Sequence, residues 1–190
     1  MVAAVAIPRP MTYEEYAALP DDGRRYELIN GELIVAAAPN GKHLMASKRY
    51  YDELNAFVES RELGMVFYAP YELKYSEYDA VQPDLFFVSR DRLHIVELEH
   101  MTEAPDLIAE VLSPSNWRHD TVTKAAIYAR IGVQEYWIVD PENETILVQI
   151  LRDGVYNPLV SEDGIARSKL LAGFTVDPSV LFAWPAWMKP

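Results

Sequence analysis

The period of hydrophobic and polar positions changes several times along the chain, and each change marks an element. In "TYEEYAAL" Thr12 and Glu15 have the spacing of a capping box, which predicts a short helix. "RYELINGELIVA" follows as two alternating runs joined by Asn30-Gly31, the pair best suited to a type I′ turn, and predicts a β-hairpin. From His43 to Leu63 the apolar residues Met45, Tyr50, Leu54, Phe57 and Val58 recur near helical spacing, so a long helix is expected to end near Gly64. Strands are expected at "MVFYAP", "YELKYS", "PDLFFVS" and "LIAEVL", then a helix from about Trp117 to Ile131 with Gly132 as its stop. "EYWIVD" resumes the sheet, and "ETILVQILRDGVYNPLV" predicts a second hairpin turning at Asp153-Gly154.

This order of elements predicts an α/β (α+β) fold with a mixed sheet and helices packed on it. "PDLFFVS" and "LIAEVL" are apolar on both faces, as central strands covered on both sides are. The 190 residues suffice for one substantial core, and no repeat, low-complexity run or linker divides them. A single domain is therefore expected over 12–183, after a loose N-terminal segment 1–11 and before a tail 184–190 in which Trp184 and Trp187 cover a sheet edge or a partner chain. Tyr136 and Trp137 are expected to be core.

Against this apolar frame a few polar positions stand out. Glu110 lies between Ala109 and Val111 in a buried strand, where an unpaired charge costs several kcal/mol. Asp84 heads the other central strand, directly after Gln82 and Pro83. If these strands are neighbours, two carboxylates meet and need a shared proton or a shared cation. A hard divalent ion such as Mg²⁺, with Mn²⁺ as a substitute, prefers such oxygen ligands. Lys124 lies on the next helix in a stripe with Asp120 and Tyr128, each step being four residues, and could turn its ammonium toward the same spot. Glu27 in the first hairpin is a further candidate, and His43, Gln82 and Tyr128 are secondary ones. Each has an ordinary alternative: Asp84 as a strand cap, Glu110 paired with an arginine, Lys124 paired with Asp120 on a solvated face, and Glu27 paired with Arg24, Arg25 or a lysine across the hairpin.

Composition narrows the chemistry. With no cysteine, thiolate zinc sites, iron–sulfur clusters and disulfides are excluded. A net charge of −12 and a pI near 4.7 argue against a broad basic surface, so any nucleic-acid contact must use a narrow groove. Arg24, Arg25, Lys42, Lys48, Arg49, Arg118 and His119 are the candidates to line it. Neither an 18-residue apolar run nor a basic leader with a long apolar region is present, and a soluble, cytoplasmic protein without a membrane partner is expected.

The series "YELINGEL", "PNGKH", "QPDLFFVS", "PDLIAEVLSPS" and "DTVTKAAIYARIGVQEYWIVD" resembles, in order and spacing, the Uma family of restriction-endonuclease-like proteins. The resemblance runs from about Thr12 to Ala183 and is most specific between Pro105 and Asp140. It implies the PD-(D/E)XK nuclease fold, a mixed central β-sheet flanked by helices, with Mg²⁺-dependent phosphodiester hydrolysis, DNA as the partner and a homodimer as the working form. Pro83-Asp84 matches the first acidic motif and Glu110 the second, while Leu112 stands where the motif's lysine normally falls. Lys124 is the relocated candidate. On this reading Asp84, Glu110 and the backbone carbonyl of Val111 hold the ion, Lys124 positions the water and Glu27 assists. Two other readings stay open: a catalytically silent module that binds nucleic acid or protein, and a glycosidase using Asp84 and Glu110 as acid and base.

Overall fold

Successive side chains of a buried strand face opposite ways, and here each set meets a different helix. The computed structural model describes residues 9–36, 38–114 and 117–184. Within them the chain runs α1 (Tyr13–Ala17), β1 (Tyr26–Ile29), β2 (Glu32–Val35), α2 (Gly41–Glu59), β3 (Gly64–Tyr68), β4 (Glu72–Ser76), β5 (Asp79–Val81) and β6 (Leu85–Ser89). A 3₁₀ turn (Arg90–Ile95) leads to β7 (His100–Met101) and β8 (Leu107–Val111). A π-helical turn (His119–Lys124) precedes α3 (Ala125–Ile131), β9 (Glu135–Asp140), β10 (Thr145–Arg152) and β11 (Val155–Pro158). The short elements β12 (Ala166–Arg167), β13 (Thr175–Val176) and α4 (Pro178–Leu181) follow.

Among the described residues one sheet has six strands in the order β11-β10-β9-β8-β6-β3, and a second has five in the order β2-β1-β5-β4-β7. β8 pairs antiparallel with β6 and parallel with β9, so the larger sheet is mixed, as expected. Leu85, Phe87, Leu107, Ala109, Val111, Trp137 and Val139 face Tyr50 and Leu54 of α2. The alternate residues Phe86, Val88, Ile108, Tyr136 and Ile138 face Ile127 and Tyr128 of α3. β6 and β8 are thus covered on both faces.

Local chemistry explains most boundaries. Thr12 and Glu15 form the reciprocal capping box at α1. Asn30 (φ 52°) and Gly31 (φ 74°) make the tight turn of the first hairpin, and Asp153 (φ 50°) with Gly154 (φ 79°) that of the second. Asn40 accepts the His43 N–H at 2.9 Å and starts α2 at Gly41, which places His43 inside its first turn.

Three expectations need correction. Helix α2 ends at Glu59 and not near Gly64, because Glu62 turns the chain (φ 53°) and the Leu63 N–H returns to Val58 O at 3.1 Å. Gly64 is required for a different reason: it opens β3 at φ 155°, where a Cβ would lie 2.1 Å from Val88 O. The helix expected from Trp117 to Ile131 is not uniformly α but widens into the π-turn, a feature that often accompanies functional side chains. Finally, where one mixed sheet is expected the long strands divide between two, and the first hairpin belongs to the five-stranded one. Residues 1–8 of the N-terminal segment, Ser115 of the quoted block, and Trp187 with the rest of 185–190 lie outside the described residues. Among those described, no helix is long and apolar enough to cross a membrane.

Gly64→Ala is expected to destabilise the protein by about 1–3 kcal/mol, since backbone must move to admit the methyl group. Gly41→Ala, where a Cβ would meet nothing within 4 Å, is expected to be neutral or slightly stabilising. Urea unfolding midpoints of the two variants would check the contrast.

Candidate active site

β6 and β8 are neighbours, with Leu85 opposite Ala109, and this register joins the two acids that precede and follow that pair. The Asp84 N–H donates to Glu110 Oε2 at 3.3 Å, and the Val111 N–H donates to Asp84 Oδ2 at 2.9 Å. Glu110 is 1 % exposed. Its Oε1 accepts the Tyr128 hydroxyl at 2.6 Å and the Lys124 ammonium at 3.0 Å.

Lys124 is buried, which excludes the solvated-face alternative. Its Nζ lies 2.8 Å from Glu27 Oε1, 3.0 Å from Glu110 Oε1 and 3.8 Å from Asp120 Oδ1. The stripe of Asp120, Lys124 and Tyr128 is therefore turned inward as a unit, and the carbonyl of Asp120 accepts the Tyr136 hydroxyl at 3.0 Å. Glu27 does not pair with Arg24 or Arg25. Its Oε2 lies 2.9 Å from His119 Nε2, and its Oε1 also accepts the Gln82 N–H at 3.0 Å. His43 Nε2 sits 3.1 Å from Asp84 Oδ2, while its Nδ1 is 3.3 Å from Ser47 Oγ.

Gln82, a secondary candidate, connects the parts. Its backbone N–H holds Glu27, its carbonyl lies 3.5 Å from Lys124 Nζ, and its side chain bridges Arg25 and Glu72 at 3.2 Å each. Every sequence-predicted side chain thus falls in one neighbourhood. Asp120 and His119 are additions to it: in the sequence the first is a helix-stripe acid and the second a groove candidate. A buried i,i+4 stripe ahead of a glycine stop was the available signal.

The electrostatics follow from burial and sign. Burial pushes Glu110 well above the usual carboxylate range, aided by the charges of Asp84 and Asp120 and only partly opposed by Lys124. Burial would also raise Asp84, but the hydrogen bond and charge of His43, with Lys124 and the Val111 N–H, hold it below its ordinary value. Glu27, buried too, is brought down to about 2 by Lys124 and His119. Burial lifts Asp120 to about 6. Burial alone would deprotonate Lys124, yet four surrounding carboxylates keep its proton in place.

Two adjoining hollows share Arg25, Pro39, His43 and Asp84. The outer one is an open, mostly apolar cleft of about 480 Å³. The inner one, about 40 Å³, is lined by Glu27, Asp84, Glu110, Val111, Asp120 and Lys124. That space holds roughly one to three water-sized groups. The donors available to an ion are oxygens: Asp84 Oδ1, which takes none of the hydrogen bonds above, and Glu110 Oε2, held only by the long contact to Asp84. Two carboxylates with waters suit Mg²⁺, which keeps much of its hydration shell. Among the described residues no group of three or more His, Asp or Glu side chains is placed to hold a metal ion.

The other groove candidates go different ways. Arg24 pairs with Asp22, Lys42 with Glu142, and Lys48 with Asp52. Arg49 is committed to the Leu181 and Ala183 carbonyls, and Arg118 lies over the Trp117 ring. Arg25 and Lys48 line the outer cleft.

A mixed sheet flanked by helices, with acids meeting where β6 and β8 adjoin, belongs to the restriction-endonuclease-like class of folds. The chain is a member of the Uma2 family, whose model, described as "Putative restriction endonuclease", matches residues 13–179. A crystal structure of "a putative nuclease belonging to DUF820" from Anabaena variabilis has the same fold, with a TM-score of 0.76. It is 21 % identical and is matched over 91 % of this chain and 98 % of that one. No curated protein matches the sequence.

Opposite pH dependences are expected for two of the acids. Asp120 titrates near 6 when folded against an ordinary 3.8, so its charge opposes folding increasingly as pH rises between those values. Asp120→Asn should then match the wild type near pH 4 and be about 1–3 kcal/mol more stable at pH 7. Glu27, lowered from 4.5 to about 2, stabilises the fold above the higher value and loses that contribution as pH falls through the lower one. Glu27→Gln should be the less stable protein at pH 7 and converge on the wild type in acid. Urea titrations across this range measure both.

Proposed function

We propose that the chain is a metal-dependent endonuclease that hydrolyses phosphodiester bonds of DNA. The observation that carries this reading is the convergence of Glu27, Asp84, Glu110 and Asp120 on the single ammonium of Lys124, on the floor of an open cleft. Such an excess of buried negative charge is relieved by a cation. Asp84 and Glu110, with the backbone carbonyl of Val111, would hold Mg²⁺ or Mn²⁺, and the inner hollow has room for the ion with a water. When bound, the ion supplies Lewis-acid polarisation of the phosphoryl group.

The remaining steps belong to the chain. Tyr128 and Lys124 pin Glu110 Oε1 and leave its other oxygen with the long contact to the Asp84 N–H. His43 fixes Asp84 in the same way through Oδ2. Lys124, kept protonated, can donate from Nζ to the attacking water or to an oxygen of the substrate phosphate, where negative charge grows. Glu27 and His119 hold that ammonium in place. The lysine does so from the helix, because the motif's usual strand position is Leu112, and the chemistry depends on where the charge sits.

A catalytically silent binding module on the same fold is favoured by one observation: Glu110 already has protein donors on both oxygens. Cleavage separates the readings. Supercoiled plasmid and labelled oligonucleotides are expected to be cut in Mg²⁺ or Mn²⁺ and not in EDTA. Glu110→Gln and Asp84→Asn should abolish the reaction, Lys124→Met should lower kcat about 10²–10³-fold, and Tyr128→Phe should lower it about tenfold. No cleavage with either ion, together with no calorimetric heat on titrating them, would reject the nuclease reading in favour of the binding module.

A further inference from the structure

We infer that the outer cleft receives one unpaired nucleotide of a DNA strand, its base packed against Tyr68 and Tyr51 and its phosphate held by Arg25. This deepens the nuclease reading and rests on it for the position of the reacting bond, though the binding itself does not.

Four observations lead here. The cleft's volume, about 480 Å³, lies within the range of small-ligand sites. Tyr68, on the edge strand β3, is 62 % exposed, and Leu44, which also lines the cleft, is 56 % exposed, an unusual amount of open apolar surface at the mouth of an acidic site. Tyr68 meets Tyr51 edge-on, with centroids 5.1 Å apart at 77°, so ring surface is left for a base to stack upon. Arg25 is tethered through Nε to Gln82, and among the described residues neither of its terminal nitrogens enters a hydrogen bond or ion pair. It lines both hollows, so a phosphate on its guanidinium would lie beside Asp84.

Exposed ring surface, more than charge, selects the form of the strand, since a net charge of −12 opposes either form and the denser duplex the more. Duplex recognition draws on a wide positive surface, which a chain of net charge −12 does not supply. Unpaired strands are held by base stacking on aromatic side chains together with cations along the backbone, and here Tyr68 offers the ring and Arg25 a cation.

Fluorescence anisotropy in EDTA, where nothing is cut, would compare a labelled oligothymidine with a blunt duplex of similar length. The single strand is expected to bind at least about tenfold more tightly. Tyr68→Ala should weaken it about tenfold while Tyr68→Trp retains it. Arg25→Gln should weaken it and reduce the salt dependence by about one counterion. Tyr68 is exposed, so its variants should fold, and far-UV circular dichroism with urea unfolding would verify this. Equal affinity for duplex, or Tyr68→Ala binding like the wild type, overturns the inference. Adding Mg²⁺ then separates the two ideas. Cleavage of duplex regardless of Tyr68 leaves the nuclease reading standing and removes this one. Tyr68-dependent strand binding without cleavage does the reverse.

Discussion

The ammonium of Lys124 between Glu27 and Glu110 is the interaction on which the arrangement depends. Glu27 comes from β1 of the five-stranded sheet, Glu110 from β8 of the six-stranded one, and Lys124 from the helix that follows β8. One buried cation therefore ties two sheets and a helix together. Removing a charge from such a set leaves its partners uncompensated in a low dielectric, which costs far more than the set contributes when whole. The geometry of the site is in this sense also the geometry of the fold.

Buried acids in strands are not all alike, and Glu135 shows the difference. Like Glu110 it is 1 % exposed. Its Oε1 accepts the Trp137 indole N–H at 2.7 Å and the Ser168 hydroxyl at 2.6 Å, and its Oε2 accepts the N–H groups of Lys169 and Leu170 at 2.8 and 2.9 Å. Both oxygens are saturated by neutral donors, and the carboxylate fastens the segment around β12 to the sheet. Asp106 does similar work at the 3₁₀ turn, accepting the Ser89 N–H and Arg92. Glu110 instead shares its surroundings with other carboxylates and faces a hollow. The competition among like charges, more than burial itself, separates the site from the scaffold.

Much of this was legible in the residues. The hairpin at Asn30-Gly31 rests on a local backbone preference, and the two central strands on their unbroken apolarity. Glu110 was readable because it interrupts such a run, and Asp84 because it heads one directly after Gln82 and Pro83. Glu135 interrupts nothing, since it opens its strand, and apart from Trp137 its donors lie thirty-odd residues downstream, at Ser168 to Leu170. β7, β12 and β13, at two residues apiece, are too short to show a period, and β5 at three residues is scarcely longer. The π-turn left no mark in the spacing. The second sheet was missed for the same reason: a hairpin's sequence defines its own turn and says nothing of which strand its outer edge will meet.

Only Gln82, Pro83 and Asp84 lie between β5, in one sheet, and β6, in the other. Gln82 is bonded to Glu27, Arg25 and Glu72, and Asp84 to His43 and the end of β8. Through Glu72 the same bridge reaches the hydroxyls of Tyr13 and Tyr16 on α1. The tripeptide acts as a ruler between the sheets. One residue added to it would displace Asp84 from Glu27 by about 3.3 Å, a full hydrogen-bond length. Lineages of this fold should therefore vary freely in the β10–β11 turn, and hold the length of this crossing fixed even where its residues change.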